Sequence, residues 1–545
     1  MPVRPSVLAI LTLSSLAAIR FYWTSIRVPP HLRHLPRIPI PTFLWMTMRG
    51  NNGFLQTVEE QGALLVADSV RRGYTPDAQS TPPLWLFWML GTWVVAIDNP
   101  QDFKDAMLLN ETFEKLDVTS AFPDESTRLL GASNIVNDKT PVWRRHRKIV
   151  NPAFRRGWAT SLFGTPAREL LAAFDAHVAS GSPVDVSQWM QRMALDALTT
   201  AAFGENIDSI NHPHSRIVAL YNEVVHAATD PAGVVLGPLA KLLPRRWGLG
   251  RKVDEFNRYL TDMIDTKVRM VKEKKAMGEH EDDADSKDLM ELMVSAMIED
   301  EAAFSKEDVR ANTMIFFLAG HDTTANALAF AIYLLGRHPE IQAKARAEVL
   351  KVMSTDAPST RTPASSFPYP SNTQERQLHY LTCIIKETLR LFPSITMLPM
   401  REMHAAHTFS DHARTSVPKG AYVAANVWGI HRSPKYWGDN VHDFVPERWM
   451  TAAEAGVGSE GVSDLGIPLH PGAHEYRFVP FGGGPRQCLG MQFSVIEQRV
   501  VLAMLLMRYE WTVVGDKHAL SGMPLSDVGI LLHPKNVFVD FKRRN

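Results

Sequence analysis

Phe481-Gly-Gly-Gly-Pro-Arg-Gln-Cys-Leu-Gly490 is a glycine-rich loop that carries one cysteine near its end. The pattern Phe-x-x-Gly-x-Arg-x-Cys-x-Gly fixes five positions. With average residue usage, a chain of 545 residues matches it by chance about once in ten thousand trials, so the spacing asks for a chemical reason. A thiolate ligand suits it: a tight turn lets backbone N–H groups point at the sulfur and restrain its basicity. Phe481 would shield the sulfur from water. Gly484 and Gly490 would let the backbone approach the bound group closely, and Arg486 is placed to pair with an anionic substituent on it.

Upstream lies the strongest helix signal in the chain. Ser305 is a good N-cap with Asp308 three residues on, as in a capping box, and Phe304 and Val309 fall at the two hydrophobic-staple positions. The pattern runs to about Arg337, where His338-Pro339 stops it. That predicts a helix of about 48 Å at 1.5 Å per residue. Because residues 314–318 and 325–335 are mostly apolar, the helix must run through the middle of a large domain. Ala319-Gly-His-Asp-Thr-Thr324 interrupts it with residues that cost helix stability, which points to function. Strand signals are few and short, as in residues 93–97 and 417–427. The expected fold class is mainly α with small β-sheets.

Two further patterns stand out. Glu387 and Arg390, in Lys386-Glu-Thr-Leu-Arg-Leu-Phe-Pro393, share one helix face amid apolar neighbours and can pair. In Trp143-Arg-Arg-His-Arg-Lys148, Trp143 and Arg147 share one face, while Arg144 and Lys148 share another. That second face reads equally as a solvated basic surface or as a docking patch for an acidic protein.

Together these motifs resemble the cytochrome P-450 family of haem-thiolate monooxygenases, over roughly residues 40–540. The resemblance implies a single domain with the long helix over the haem and the cysteine loop beneath it. It carries Cys488 over as the axial ligand of haem b iron, with Phe481, Gly484, Arg486 and Gly490 around the cofactor. Trp143, Arg147 and Arg401 resemble haem-propionate partners. The stretch 319–324 matches the family's oxygen-activation motif: Gly320 leaves room beside the iron, Thr323 hydrogen-bonds an ordered water, and Asp322 relays protons. A threonine within a helix also back-bonds to the carbonyl one turn earlier, a competing use of the Thr323 hydroxyl. His321 is not expected as a ligand, because the cysteine accounts for the iron. Ala319 stands where some fatty-acid hydroxylases of the family carry a Glu that tethers the haem, so no such ester is expected. Glu387 and Arg390, with Arg448 from Phe444-Val-Pro-Glu-Arg-Trp449, would brace the segment leading to the cysteine loop; the family's usual Phe is Trp449 here.

Composition agrees with a large globular enzyme. Hydrophobic residues make up 45% of the chain, and Lys+Arg balance Asp+Glu at 58 each, so bulk charge does not point to nucleic acid. Two cysteines form no disulfide framework; Cys383, in an apolar run, reads as a small buried hydrophobe. Residues 1–28 read as an N-terminal membrane anchor: 5–19 are uncharged and mostly apolar, with the aromatic cluster Phe21-Tyr22-Trp23 behind them. A cleaved signal peptide is the alternative. Arg20, Arg27, Arg33 and Arg37 favour an uncleaved anchor with the catalytic domain on the cytosolic side of the endoplasmic reticulum. Residues 29–55 then form a proline-rich hinge and the start of the domain, and 56–545 the haem-thiolate domain. Residues 278–285 and 354–371 read as exposed loops.

The resemblance further implies O2, a lipophilic substrate, and electrons from NADPH through a separate cytochrome P-450 reductase, with cytochrome b5 as a second donor. Residues 314, 316, 317 and 318 suggest an apolar pocket wall, with Phe122 and Leu129 as contacts from the loop over the haem. Residues 234–236 and 239–243 are candidates to dip into the membrane. The chain resembles fungal microsomal members, which act on terpenoids, other secondary metabolites or fatty acids. Two alternatives stand beside this reading: a reductase-independent haem-thiolate isomerase or dehydratase, and a non-enzymatic haem protein. Retention of Asp322 and Thr323 favours oxygen activation.

Overall fold

The computed structural model describes residues 22, 26–42, 45, 54–73, 82–89, 91–116, 124–155, 157–228, 242–277, 287–353, 362–410, 414–450, 476–515, 525–528 and 531–544. The apolar stretch 5–19, the acidic run 278–285, Phe122 and residues 234–236 lie outside them. The longer helices are α1 (Phe54–Arg71), α2 (Pro100–Leu108), α3 (Asp124–Leu130), α4 (Thr140–Arg155), α5 (Ser161–Ser180), α6 (Val186–Phe203), α7 (Arg216–Ala228), α8 (Leu249–Ala276), α9 (Leu289–Glu299), α10 (Lys306–Arg337), α11 (Pro339–Met353), α12 (His379–Leu391) and α13 (Met491–Arg508). The strands are β1 (Leu84–Met89), β2 (Thr92–Ile97), β3 (Phe113–Lys115), β4 (Val184–Asp185), β5 (Arg401–Met403), β6 (His407–Thr408), β7 (Ser416–Val417), β8 (Tyr422–Ala425), β9 (Tyr509–Val513), β10 (Leu525–Val528), β11 (Leu531–Pro534) and β12 (Phe538–Arg543).

α10 is the axis of the fold. Its start is the expected capping box: the Asp308 N–H donates to the Ser305 hydroxyl at 3.2 Å, and the Ser305 N–H donates to the Asp308 carboxylate at 2.8 Å. Phe304 and Val309 at the staple positions are both buried. The helix is buried on nearly every side and packs on α6, α8, α9, α12 and α13. Among the described residues it is the one helix long and apolar enough to cross a membrane, but 78% of its apolar window is buried within the protein, which makes it a core helix.

The sheets are small and peripheral. The largest runs β1-β2-β8-β5-β3, with β2 and β8 parallel and the other neighbours antiparallel. A second sheet, β4-β12-β9, joins the chain's end to the start of α6. The proline-rich stretch, expected as a hinge and the start of the domain, is partly built into the domain. Leu32, Leu35 and Ile38 are buried, the Leu86 N–H donates to Pro36 O at 2.8 Å, and the Ile38 N–H donates to Leu86 O at 3.1 Å. Prolines are tolerated there because the segment adds to the free edge of β1.

The segment leading to the cysteine loop is held by α12. Glu387 and Arg390 are both fully buried. Arg390 donates to both Glu387 carboxylate oxygens, at 2.8 and 2.9 Å, and to the carbonyls of His431, Val441 and Asp443. The Arg448 guanidinium donates to Glu387 Oε1 at 2.8 Å, so the expected trio meets. The Trp449 indole N–H donates to Glu387 Oε2 at 2.9 Å, a bond that the family's phenylalanine cannot make. His431 completes the brace: its Nε2 accepts the Val479 N–H at 2.8 Å, two residues before Phe481. Burial and then Arg390 push the His431 pKa down to about 3, so the ring is neutral and free to accept.

Arg390→Met should cost about 3–5 kcal/mol by leaving the Glu387 charge buried without its main partner, read by urea unfolding. Trp449→Phe should cost about 1.5–3 kcal/mol, the range for a hydrogen bond to a charged group, in the same assay.

Candidate active site

The loop carrying Cys488 is a tight reversal. The Cys488 N–H donates to Phe481 O at 3.0 Å, and the Gln487 N–H donates to Gly484 O at 3.0 Å. Gly484 has φ +67°, and a Cβ there would lie 2.6 Å from the carbonyl oxygen of Met107 at the end of α2. Its missing side chain therefore serves backbone conformation and packing on α2. Gly490 behaves differently: a Cβ there would meet nothing within 4 Å. Phe481 is half-buried and packs against the main core.

Cys488 is exposed, yet burial is the largest influence on its thiol, which together place it on an interior cleft rather than on the outer surface. Burial raises the thiol pKa; the Gly490 N–H and the positive charge of Arg147 pull it partly back. Both favour the thiolate, but burial outweighs them and the thiol pKa stays raised. Cys383, by contrast, is buried, and its pKa is pushed up to about 11, mainly by burial.

A second accessible patch lies on α10. Residues 311–317 and 324–336 are buried, but Ala319 is exposed and Gly320 and Thr323 are half-buried. Positions i, i+1 and i+4 form one helix face, so this face is the accessible side of an otherwise buried helix. It is tied to the region of the cysteine loop: the Thr324 hydroxyl donates to Ser494 Oγ on α13 at 2.9 Å, and the Ser494 N–H donates to Gly490 O at 2.9 Å. The Ser394 hydroxyl donates to Thr323 O at 2.8 Å. The Thr323 hydroxyl itself donates to Ala319 O at 2.8 Å, the back-bonded arrangement, which leaves its oxygen lone pairs as acceptors.

Other residues of this region also serve helix packing. A Cβ at Gly320 would lie 2.7 Å from Leu198 Cδ1, so this glycine makes room for α6. Phe317 stacks on Phe203 with centroids 5.2 Å apart and meets Tyr221 and Phe256; it belongs to helix packing, as do buried Met314 and Phe316. Leu318 is half-buried against the core, and Ala319 is the apolar residue left exposed on this face. Leu129 is buried at the end of α3.

Cations converge beside the cysteine loop. The Arg486 guanidinium lies 4.3 Å from the Trp143 ring centre and donates to Asp138 O at 2.8 Å. Arg147 donates to Gln487 O at 3.0 Å, and Arg401 to Phe113 O at 2.8 Å. Lys115, opposite Arg401 in the β3–β5 register, joins them. Burial and then the charges of Arg401 and Arg486 push Lys115 down to about 7. Burial, with Arg486 beside one and Arg147 beside the other, lowers Arg401 and Arg486 each to about 10. Among the described residues, Glu114 and Asp138 are the carboxylates acting on Arg486. Four crowded cations against two carboxylates call for added negative charge, and the two propionates of a haem match that deficit. The residues present fit the group: Cys488 for the iron, and Trp143, Arg147, Arg401, Arg486 and Lys115 for its acidic edge.

Lys115 and His431 escaped sequence reading. Each is a lone residue whose role comes from strand register or a turn far away in the chain.

The family description Cytochrome P450 matches residues 70–541. The chain is 27% identical to the putative cytochrome P450 CYP13A3 of Caenorhabditis elegans, over 78% of this chain and 79% of that protein. It is 28% identical to mouse cytochrome P450 3A13, over 72% of each chain. Human cytochrome P450 4V2 is 26% identical over 87% of this chain and 84% of its own length.

The folded haem-free chain releases the Lys115 proton near pH 7, whereas the ordinary lysine value is 10.5. Between these values the unfolded state binds more protons, so stability rises with pH. The gain in thermal midpoint of haem-free Lys115→Met over wild type should be largest below about 7 and shrink as pH rises toward 10.5. The haem-loaded variant should instead lose haem faster than wild type, read by transfer to apomyoglobin.

Proposed function

This chain belongs to the cytochrome P450 family of haem-thiolate monooxygenases, and on that premise we propose that it oxidises a lipophilic substrate with electrons passed from NADPH by a separate reductase. The observation that carries the reading is Cys488, presented accessibly from a tight glycine-rich reversal closed by the Cys488 N–H to Phe481 O bond, with the positive charge of Arg147 acting on its sulfur. Bound haem supplies the iron chemistry that activates O2. The protein's share is positional. Cys488 holds the cofactor from one side; Trp143, Arg147, Arg401, Arg486 and Lys115 hold its acidic edge. On the other side, Thr323 offers acceptor lone pairs to an ordered water, and Asp322 moves a proton toward the reacting oxygen. The overall balance is substrate C–H, O2, NADPH and one proton to C–OH, water and NADP+. The exposed Ala319 and the apolar residues around it on α10 suit a terpenoid, another secondary metabolite or a fatty acid.

Electron delivery is supported by α4. Arg144 and Lys148 are exposed, and with Trp143, Arg147, Asn151, Pro152 and Arg155 they line a cleft of about 600 Å3. Arg147 links that cleft to Gln487, the neighbour of the thiolate, so an acidic reductase, or cytochrome b5, docked there would stand close to the iron ligand. The N-terminal apolar stretch supports anchoring to the endoplasmic reticulum membrane with the catalytic domain in the cytosol. Leu242 and Trp247, 73% and 72% exposed, give an apolar surface for contact with the same bilayer.

Dithionite-reduced wild type should show a strongly red-shifted Soret band with carbon monoxide, and Cys488→Ala should lose it; an unshifted carbonyl band in wild type would overturn the thiolate assignment. Arg144→Glu with Lys148→Glu should raise the KM for reductase about tenfold at low ionic strength, with the effect fading as salt is added.

A further inference from the structure

Asp322 can donate a proton repeatedly only if another group returns one to it. His321, 3% exposed on the same turn of α10, is placed to do so. Its Nδ1 lies 2.7 Å from Phe317 O, and its Nε2 lies 3.1 Å from Asp322 Oδ1. Both partners are acceptors while Asp322 is ionised, and a neutral imidazole has only one N–H to give. The geometry is satisfied when one further proton sits on the line between Nε2 and Oδ1, held by the imidazole or by the carboxyl. Tyr221 of α7 closes the site, with its ring 5.2 Å from the imidazole and inclined at 66°.

We propose that His321 is a positioning residue for oxygen activation: it shares a proton with Asp322 and restores that proton after each transfer. The shared proton rests on Nε2 of the imidazolium, passes to the Asp322 carboxylate and from there to the reacting oxygen, leaving ionised Asp322 beside neutral His321. Neutral His321 keeps its Nδ1–H on Phe317 O and recovers a proton from solvent. Each pass moves one proton from solvent to oxygen, with no change of oxidation state in the protein. Burial alone lowers the His321 pKa; the Asp322 charge and the bonds to Asp322 and Phe317 O outweigh it and raise the pKa above the usual histidine value. Tyr221 stays neutral, held well above its usual value by burial and by Asp322. Among the described residues, Asp322 and Tyr221 are the titratable groups facing the imidazole.

This inference rests on the monooxygenase reading, and its test separates the two. The infrared band of the carbon monoxide complex, a probe of local charge on the cavity side of α10, is followed against pH. It should shift in wild type and in Tyr221→Phe as the pair gains or loses its proton, and stay flat in His321→Gln and Asp322→Asn. With an alkoxycoumarin as probe substrate, reductase-driven turnover of His321→Gln should fall tenfold to a hundredfold, the range for removing a group that orients a reacting residue. Turnover driven by hydrogen peroxide should be unchanged, because peroxide carries both protons it needs: substrate C–H and H2O2 give C–OH and water. A band that titrates in His321→Gln as in wild type, or equal losses under both modes of drive, would overturn the proposal. Wild type without NADPH-driven turnover would count against the reductase reading alone, and the infrared titration would still decide His321.

Discussion

Glu387 is the charge on which the site's geometry depends. A fully buried carboxylate is costly unless its neighbours satisfy it, and here Arg390, Arg448, the Trp449 indole and the Val445 N–H converge on its two oxygens. Arg390 also grips three carbonyls of the segment between residues 431 and 443, so the carboxylate indirectly fixes a stretch of irregular backbone. Neutral His431 carries that order on to Val479 and hence to the cysteine loop. A loop whose own regular structure is a single 3-10 turn at Gly484–Arg486 thus gains the rigidity that an iron ligand requires.

The two sides of the cavity solve opposite electrostatic problems. Beneath it, cations gather around Cys488 and depress one another, which prepares that side for an anionic cofactor edge and a thiolate. Above it, a mostly apolar helix admits one polar turn, with charges held in local contacts rather than spread across the pocket. The apolar body of α10 keeps water from most of the helix, so the groups of that turn interact in a low-dielectric surrounding where small displacements of a proton matter.

Much of this was legible because it is local in sequence. The capping box at Ser305, the Glu387–Arg390 pair and the Cys488 loop each lie within ten residues, and their spacing maps directly onto a turn of helix or a reversal of chain. Features assembled from distant segments were not legible. Lys115 meets Arg401 only through strand register, and His431 meets Val479 only through the fold. Spacing also left the purpose of some residues open: Gly484 and Gly320 match the motif, but their missing side chains accommodate Met107 and Leu198. Trp449 shows the same limit, since an exchange between aromatic residues hides the gain of a hydrogen-bond donor.

The pair of cysteines has a practical consequence. Cys383 is buried, with its thiol pushed up to about 11, while Cys488 is accessible from a cleft. A thiol reagent small enough to enter that cleft therefore meets a single reactive sulfur under native conditions, and iron ligation would mask it. Counting modified thiols by mass spectrometry on intact protein would then report the fraction of molecules lacking cofactor, independent of any absorption coefficient.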